Sequence, residues 1–185
     1  MRFAFNELKT TQAAAHLLRR HNGTMKYMVL IKLLYLADRK SLIETGNVIT
    51  GDEMVSMPHG PVLSQVYEFI NLDLPEDAKP TPWFEQISRE GRYEVVLKGK
   101  SPSFDELSRY EMRVLDAIDE QFGQMNIWKL RDYTHTLPEW RDPRGSSLRI
   151  DPAEILRAAD KSEKEIERIS REAEELWLID TVDPK

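Results

Sequence analysis

Apolar residues recur at helical spacing along most of the chain, with breaks at Gly, Pro and Asn. Asn6 is a good N-cap, and the first predicted helix runs from there to a stop at Asn22. A second helix is predicted from about Thr24 to Thr45, with Gly46 at its C′ position. Its apolar side chains cover nearly the whole circumference, which indicates a central helix packed on several sides.

The middle of the chain is less regular. Residues 46–61 are predicted to form a loop with at most a short extended piece, and Pro61 suits the first turn of a third helix over about 62–71. Residues 72–84 contain three prolines and are predicted to be irregular. Residues 92–98 are the best strand candidate, because a glycine bounds them on each side. The strand needs a hydrogen-bonded partner, which is either the segment around 87–89 or the piece 47–50.

The second half returns to helical spacing. Residues 103–106 have the Ser-x-x-Glu pattern of a capping box, which predicts a helix that reaches Phe122. Asn126 is expected to cap a short helix to about Thr134, while Asp151 and Ser162 mark the starts of two more, the last over about 163–177. The predicted fold is therefore mainly α: a compact multi-helix domain with one small β element at about residues 87–99 and a C-terminal helical pair.

The chain is predicted to divide into a helical domain over residues 1–150 and an acidic helical extension over 151–185. This extension either packs on the domain or is loosely attached to it. Its helices have apolar positions that suit packing on the core, and the same positions also suit docking into a groove of a partner.

The composition of the chain excludes several classes of protein and of functional site. With 185 residues the chain is long enough for one substantial core, and without cysteine it has no disulfide, thiolate metal site or cysteine nucleophile. The longest apolar run is far shorter than the roughly 20 residues that span a bilayer, and the N-terminus lacks the pattern of a secretory signal. We therefore expect a cytoplasmic protein that does not enter a membrane.

The net charge of −6 conceals an asymmetry between the two ends. Residues 1–50 carry 8 Lys and Arg against 3 Asp and Glu, whereas residues 151–185 carry 6 against 11. The acidic total argues against nucleic acid as a partner, although the basic N-terminal half leaves a local DNA-binding face open. The alternative is that the two ends neutralise each other in the fold or remain as solvated faces.

The sequence signatures of nucleotide, zinc-protease and hydrolase chemistry are missing from the chain. His16 and His21 are five positions apart on one predicted helix, about 140° around its axis, so they do not form a shared metal-binding face. We therefore expect no catalytic residue, no metal site and no cofactor.

Asp38 follows Tyr35 by three positions on the central helix, so the two side chains share a face. A buried carboxylate needs hydrogen-bond partners. Asp38 is therefore either a structural acid bonded to backbone amides of the 46–60 loop, or an acid in a polar pocket with His59, as an enzyme would use. Trp140, beside a proline break, is either a packed anchor or an exposed binding residue.

Four short motifs in a fixed order carry a family resemblance: KLLYLAD at 32–38, GD at 51–52, HGPV at 59–62, and TH with EW over 134–140. In their order and spacing, over about residues 5–145, they resemble the Panacea-domain antitoxin family, which is similar to SocA and to phage-associated GepA proteins. The resemblance implies a mostly helical domain without known catalytic activity. It also implies an antitoxin of a toxin–antitoxin system that neutralises a cognate toxin by direct protein binding.

The resemblance also implies the partners. The cognate protein toxin is of varied kind in this family and includes toxic small alarmone synthetases. SocA-like members instead deliver a toxin to a ClpXP-type protease, and antitoxins often repress their own operon, so an adaptor and a DNA-binding regulator stay as alternatives. The oligomeric state is left open. The motifs and the loop before HGPV supply the candidate partner-binding residues: Tyr35, Asp38, Asp52, Glu53, His59, Gly60, Pro61, Val62, His135 and Trp140.

Overall fold

The computed structural model describes residues 1–72, 75, 77, 79–99 and 103–182. This part of the chain is mainly α with two small sheets, which confirms the predicted class. Its elements follow in the order α1 (Glu7–Arg20), β1 (Thr24–Lys26), α2 (Tyr27–Thr45), β2 (Met54–Met57), β3 (Gly60–Leu63), α3 (Ser64–Asn71), α4 (Pro82–Gln86), β4 (Ile87–Glu90), β5 (Glu94–Leu97), α5 (Arg109–Phe122), α6 (Ile127–His135), β6 (Leu148–Arg149), α7 (Pro152–Ala158) and α8 (Glu163–Val182).

Helix α2 is the centre of the core, as its all-round apolar pattern predicts. Leu30, Leu33 and Leu34 are at most 1% exposed, and α1, α5, α6 and α7 all contact this helix. At its C-terminus Gly46 adopts φ 81°, and its N–H bonds the carbonyl of Leu42. This left-handed cap is the one predicted from the sequence.

The first sheet has the strand order β1-β5-β4 and is antiparallel throughout. The pairing of β5 with β4 confirms the predicted β element and selects the segment around 87–89, not the piece 47–50, as its partner. The predicted start of α2 at Thr24 is wrong. Residues 24–26 pair with β5 instead, with Thr24 opposite Val96, because this edge of β5 also needs a hydrogen-bonded neighbour.

The second sheet, of strand order β3-β2-β6, was not predicted. Strands β2 and β3 form a hairpin over residues 54–63, with Met57 opposite Gly60 and a turn at Pro58 and His59. Pro61 therefore lies in β3, and the expected helix begins later, at Ser64. Strand β6 reaches β2 from almost a hundred residues away, with Val55 opposite Arg149, and no local pattern reveals such a pairing.

Most helix starts agree with the sequence. A cap side chain accepts a hydrogen bond from a backbone N–H in the first turn at three predicted positions: Asn6, Asn126 and Asp151. The helix start predicted at Ser162 is also confirmed, because Ser162 and Glu165 form a reciprocal capping pair before α8. The box predicted at 103–106 is wrong, because α5 is capped by Ser108 in a reciprocal pair with Glu111. The stretch predicted as irregular includes α4, while residues 73, 74, 76 and 78 of it lie outside the described residues.

Helices α7 and α8 both contribute to the hydrophobic core. Their buried side chains include Ala153, Ile155, Leu156, Ile166, Ile169 and Ala173. Arg157 at the end of α7 pairs with Glu163 at the start of α8, with 2.7 Å between Nε and Oε1. The division of the chain at residue 150 stays a prediction. None of the helices in the described ranges combines the length and the apolar character that crossing a membrane requires.

Candidate partner-binding site

Asp38 holds the loop that leads from α2 to the hairpin. Its side chain is fully buried, and Oδ1 accepts hydrogen bonds from the backbone N–H groups of Ile49, at 2.8 Å, and Thr50, at 3.0 Å. The Thr50 hydroxyl donates to Oδ2. Burial raises the pKa of Asp38 to about 7, although these hydrogen bonds act in the opposite direction. Of the two roles that the sequence left open for Asp38, the structure therefore selects the structural acid.

Asp52 performs a similar task for helix α3. Its two carboxylate oxygens accept from the backbone N–H groups of Gln65 and Val66, each at 3.0 Å, in the first turn of that helix. The side chain is 5% exposed, and burial raises its pKa to about 6. The next residue, Glu53, is exposed and pairs with Arg149 of β6 at 2.8 Å. Two adjacent acids therefore differ completely in their surroundings.

A buried ion pair joins α2 to the segment after α6. Glu139 is 2% exposed, and its Oε1 accepts from the Tyr35 hydroxyl and from Nε of Arg39, each at 2.7 Å. Burial, together with the nearby Glu139 carboxylate, raises the pKa of Tyr35. Arg39 and Glu139 were not predicted as partners of Tyr35. The available signal was the position of Arg39 four residues after Tyr35, which places both on one helix face.

Lys32 is a buried cation that hydrogen-bonds to strand β3 of the hairpin. Its ammonium group donates to the carbonyl of Pro61 at 2.7 Å, and the residue is only 2% exposed, so burial lowers its pKa to about 7. Gly60 packs closely against Lys32 and has φ +93°. A Cβ at Gly60 would come within 2.6 Å of Oγ1 of Thr134 and 2.8 Å of Nζ of Lys32. Both the backbone conformation and the close packing therefore require glycine at this position.

His135 and Trp140 fix the other side of the hairpin. Their rings stack with centroids 4.0 Å apart and an interplanar angle of 9°, and the Trp140 indole donates to the carbonyl of Met57 at 3.2 Å. Trp140 is half-buried, so of the two roles that the sequence left open for it, the structure selects the packed anchor. Burial lowers the pKa of His135, and the charge of Lys32 lowers it further. Within the described part of the chain, Nε2 of His135 is buried without a hydrogen-bond partner.

The candidate residues thus lie close together in the fold, but few of them reach the surface. Glu53 and His59 are exposed, His135 and Trp140 are half-buried, and the other six are buried. His59 projects at the hairpin turn while Asp38 is enclosed, so the structure does not place these two in a common pocket. Among the residues that the structure describes, no cluster of His, Asp and Glu has the geometry to hold a metal ion.

An exposed groove beside the hairpin was not anticipated from the sequence. We call it the aromatic–arginine groove, because arginine side chains stack on its aromatic rings. It has a volume of about 270 Å³ and is lined by Lys26, Tyr27, Met28, Tyr93, Ile127 and Trp128. Tyr93 is 56% exposed and Trp128 is 54% exposed. A smaller hollow of about 80 Å³ shares Tyr27 and Met28 and extends the groove to the hairpin turn. The lining comes from three separate segments, so no sequence motif predicts the groove.

Comparison with known proteins gives one informative result. A family model described as "Antitoxin SocA-like, Panacea domain" matches residues 30–141. This range includes all ten candidate residues as well as the hairpin and helix α6. No curated protein and no solved structure matches the chain.

Proposed function

This chain belongs to the family of SocA-like antitoxins with a Panacea domain, and on that premise we propose that it neutralises a cognate protein toxin by binding it directly. Family membership is the observation that carries this proposal. The site geometry supports it, because the buried acids Asp38, Asp52 and Glu139 are engaged in hydrogen bonds that hold the fold together. Groups used in this way supply rigidity, and we propose a regulatory role without catalysis, metal or cofactor.

We propose that the hairpin is one contact of the toxin. Its turn exposes His59 on a support that is fixed from several sides, and Glu53 is exposed at its base. A polar turn held on a rigid scaffold is a frequent form of recognition surface. In this proposal the buried motif residues act by positioning the hairpin, and residues 1–150 carry the binding function with 151–185 as an extension.

A proteolytic adaptor is the second candidate, and helix α8 provides the observation that favours it. Near its C-terminal end Leu176 and Ile179 are 51% and 63% exposed on an otherwise acidic helix. Exposed apolar side chains on a helix can dock into a groove of another protein, such as a ClpXP-type protease. The adaptor would deliver the toxin for degradation after binding it.

The structure gives less support to a DNA-binding regulator. Several basic residues of the N-terminal half are already paired with acids: Arg20 pairs with Asp116 and Asp119, Arg39 with Glu139, and Lys40 with Glu44. Their partners come mostly from residues 116–139, while acids of α8 pair with nearby cations such as Arg168. Among the side chains that the structure describes, no ion pair joins residues 1–50 to α7 or α8.

Co-expression with the product of the adjacent gene tests the proposal. The neighbour is induced alone and together with this protein, and growth and co-purification are measured. We expect the neighbour to arrest growth alone, and growth to return with formation of a stable complex. Recovery of growth with loss of the neighbour, reversed in cells without the protease, would identify the adaptor. A harmless neighbour, or one that stays toxic, would contradict both forms of the antitoxin proposal.

A further inference from the structure

We propose that the aromatic–arginine groove is the main docking surface for the toxin, and that it takes a toxin segment with apolar side chains on one face and carboxylates beside them. This inference rests on the proposed antitoxin function and specifies where the toxin binds and with what chemistry. None of the groove residues belongs to the motifs that define the family resemblance.

The groove is built from regular elements and is already formed in the free protein. Its floor, at Lys26, Tyr27 and Met28, is the junction of β1 and α2, and Trp128 stands in the first turn of α6. Tyr93 lies in the turn between β4 and β5, where its carbonyl accepts from the backbone N–H of Tyr27 at 2.9 Å. Because the surface is preformed, little conformational entropy is lost in ordering it when a partner binds.

The apolar part of the groove has the composition of a protein-binding surface. Two large aromatic side chains, Tyr93 and Trp128, are each more than half exposed and face the same hollow. Tyr, Trp and Arg are the residues most enriched where a few contacts dominate a protein interface. Contiguous exposed apolar surface on a soluble protein commonly marks such an interaction site.

Arginine side chains lie over the aromatic rings of this surface. Guanidinium carbons are 5.4 Å from the ring centroid for Arg89 over Tyr27, 5.2 Å for Arg92 over Tyr93, and 5.1 Å for Arg131 over Trp128. Stacking in this way fixes the guanidinium plane and leaves its N–H edge accessible to a planar acceptor where no other group already occupies it.

The charges around the groove decide which partner fits. Arg131 is already paired with Asp132, and Arg89 donates to Asn71 and to the carbonyl of Arg92. Within the described ranges neither Lys26 nor Arg92 has an ion pair, although Glu94 lies opposite Lys26 in the sheet register. Two exposed cations beside apolar surface favour carboxylates as their counterparts, because complementary charge steers association and excludes wrong partners.

Single-stranded nucleic acid is the competing occupant, since bases also stack on aromatic rings beside cations. The net charge of −6 and the internal pairing of the N-terminal cations favour a protein instead. The experiment below separates the two.

The test uses the full-length protein and the purified product of the adjacent gene as the probe. The groove is altered in two ways, by the double substitution Tyr93→Ala with Trp128→Ala, and by Arg92→Glu. The matched controls are Leu8→Ala, which removes another exposed apolar side chain, 43% exposed, and Arg171→Glu, which makes the same change of charge at an exposed site on α8. We expect each groove variant to weaken binding at least about tenfold and each control to change it less than about twofold, with unchanged melting temperatures.

The outcomes distinguish the two proposals. If the wild-type protein neither binds nor neutralises the neighbour, the proposed function fails and the docking inference falls with it. If the wild type binds and the groove variants bind equally well, the antitoxin function stands and the groove is not its docking surface. Binding of a single-stranded oligonucleotide at physiological salt, abolished by Trp128→Ala, would assign the groove to nucleic acid and overturn the inference.

A suppressor selection tests the carboxylates. Each Asp and Glu of the neighbour is changed in turn to Arg, and the library is co-expressed with the Arg92→Glu variant. We expect at least one such change to restore the complex, because it reverses both members of a charge pair. The same substitution should weaken binding to the wild-type antitoxin. Restoration by none of these changes would contradict a carboxylate contact at Arg92.

Discussion

The buried acids Asp38 and Glu139, which bond to and from α2, differ from Lys26 and Arg92 beside the groove in what satisfies their charge. The two acids are at most 2% exposed and accept hydrogen bonds from the chain itself, whereas the two cations are exposed and lack an ion pair within the described residues. The first region contains the family motif, and the second contains none of it. In our proposal, the motif therefore specifies a shape, and the residues that distinguish one partner from another lie outside it.

The largest expected effect concerns the buried ion pair. Glu139→Ala leaves Arg39 and the Tyr35 hydroxyl without their acceptor, so we expect the free energy of unfolding to fall by about 3–5 kcal/mol. Glu154→Ala removes an exposed pair with Arg141 and should cost only about 0–1 kcal/mol. Urea denaturation of both variants measures the difference. Equal losses in the two variants would show that the buried ion pair contributes no more to stability than an exposed one.

The helical part of the fold follows from local sequence patterns, and the sheets do not. Caps such as Asn6 and the glycine at position 46 act within a few residues, so they are readable directly. Strand β1 precedes α2 without a glycine or proline break, and it is a strand because β5 offers a pairing edge. Strand β6 depends on a contact between residues almost a hundred positions apart, which a single sequence does not encode locally.

The candidate site was predictable to a similar degree. The burial of Asp38 by the 46–60 loop follows from the need of a carboxylate for partners, and the structure selects this alternative. The role of Asp52 was not predicted, because only the fold shows that α3 begins beside it. The groove could not be found, since Tyr27, Tyr93 and Trp128 are brought together only by the tertiary structure.

A smaller effect is expected from Lys32, and it depends on pH. Burial lowers the pKa of this amine from 10.5 to about 7, so between these values the unfolded chain binds more protons than the folded protein. Stability must therefore rise with pH in this window, by at most about 1.4 kcal/mol per pH unit, and decline as pH falls towards 7. Lys32→Met should remove this rise. The measurement is the free energy of unfolding at pH 7.5 and pH 9 for both proteins.

An identical pH dependence in the wild type and in Lys32→Met would contradict the buried, desolvated state of the amine. Asp38 and Asp52 should affect the pH dependence of stability equally in the wild type and in Lys32→Met, and at lower pH than Lys32 does. Their raised pKa values mean that the folded state holds more protons between about pH 4 and pH 7, so their contribution to stability falls as pH rises through that range. The comparison above pH 7.5 is therefore specific to Lys32.

The smallest effect tests the two adjacent acids, Asp52 and Glu53, and with them the difference between scaffold and surface. Asp52→Ala removes the cap of α3 and should cost about 0.5–2 kcal/mol, whereas Glu53→Ala removes only an exposed pair with Arg149 and should cost about 0–1 kcal/mol. Thermal denaturation and binding to the adjacent gene product are measured together, at a temperature where both variants are folded. Because Asp52 is buried and bonds the first turn of α3 instead of facing a partner, its variant should bind nearly as well as the wild type once folded. A large loss of affinity in folded Asp52→Ala, with none in Arg92→Glu, would move recognition from the groove to the hairpin.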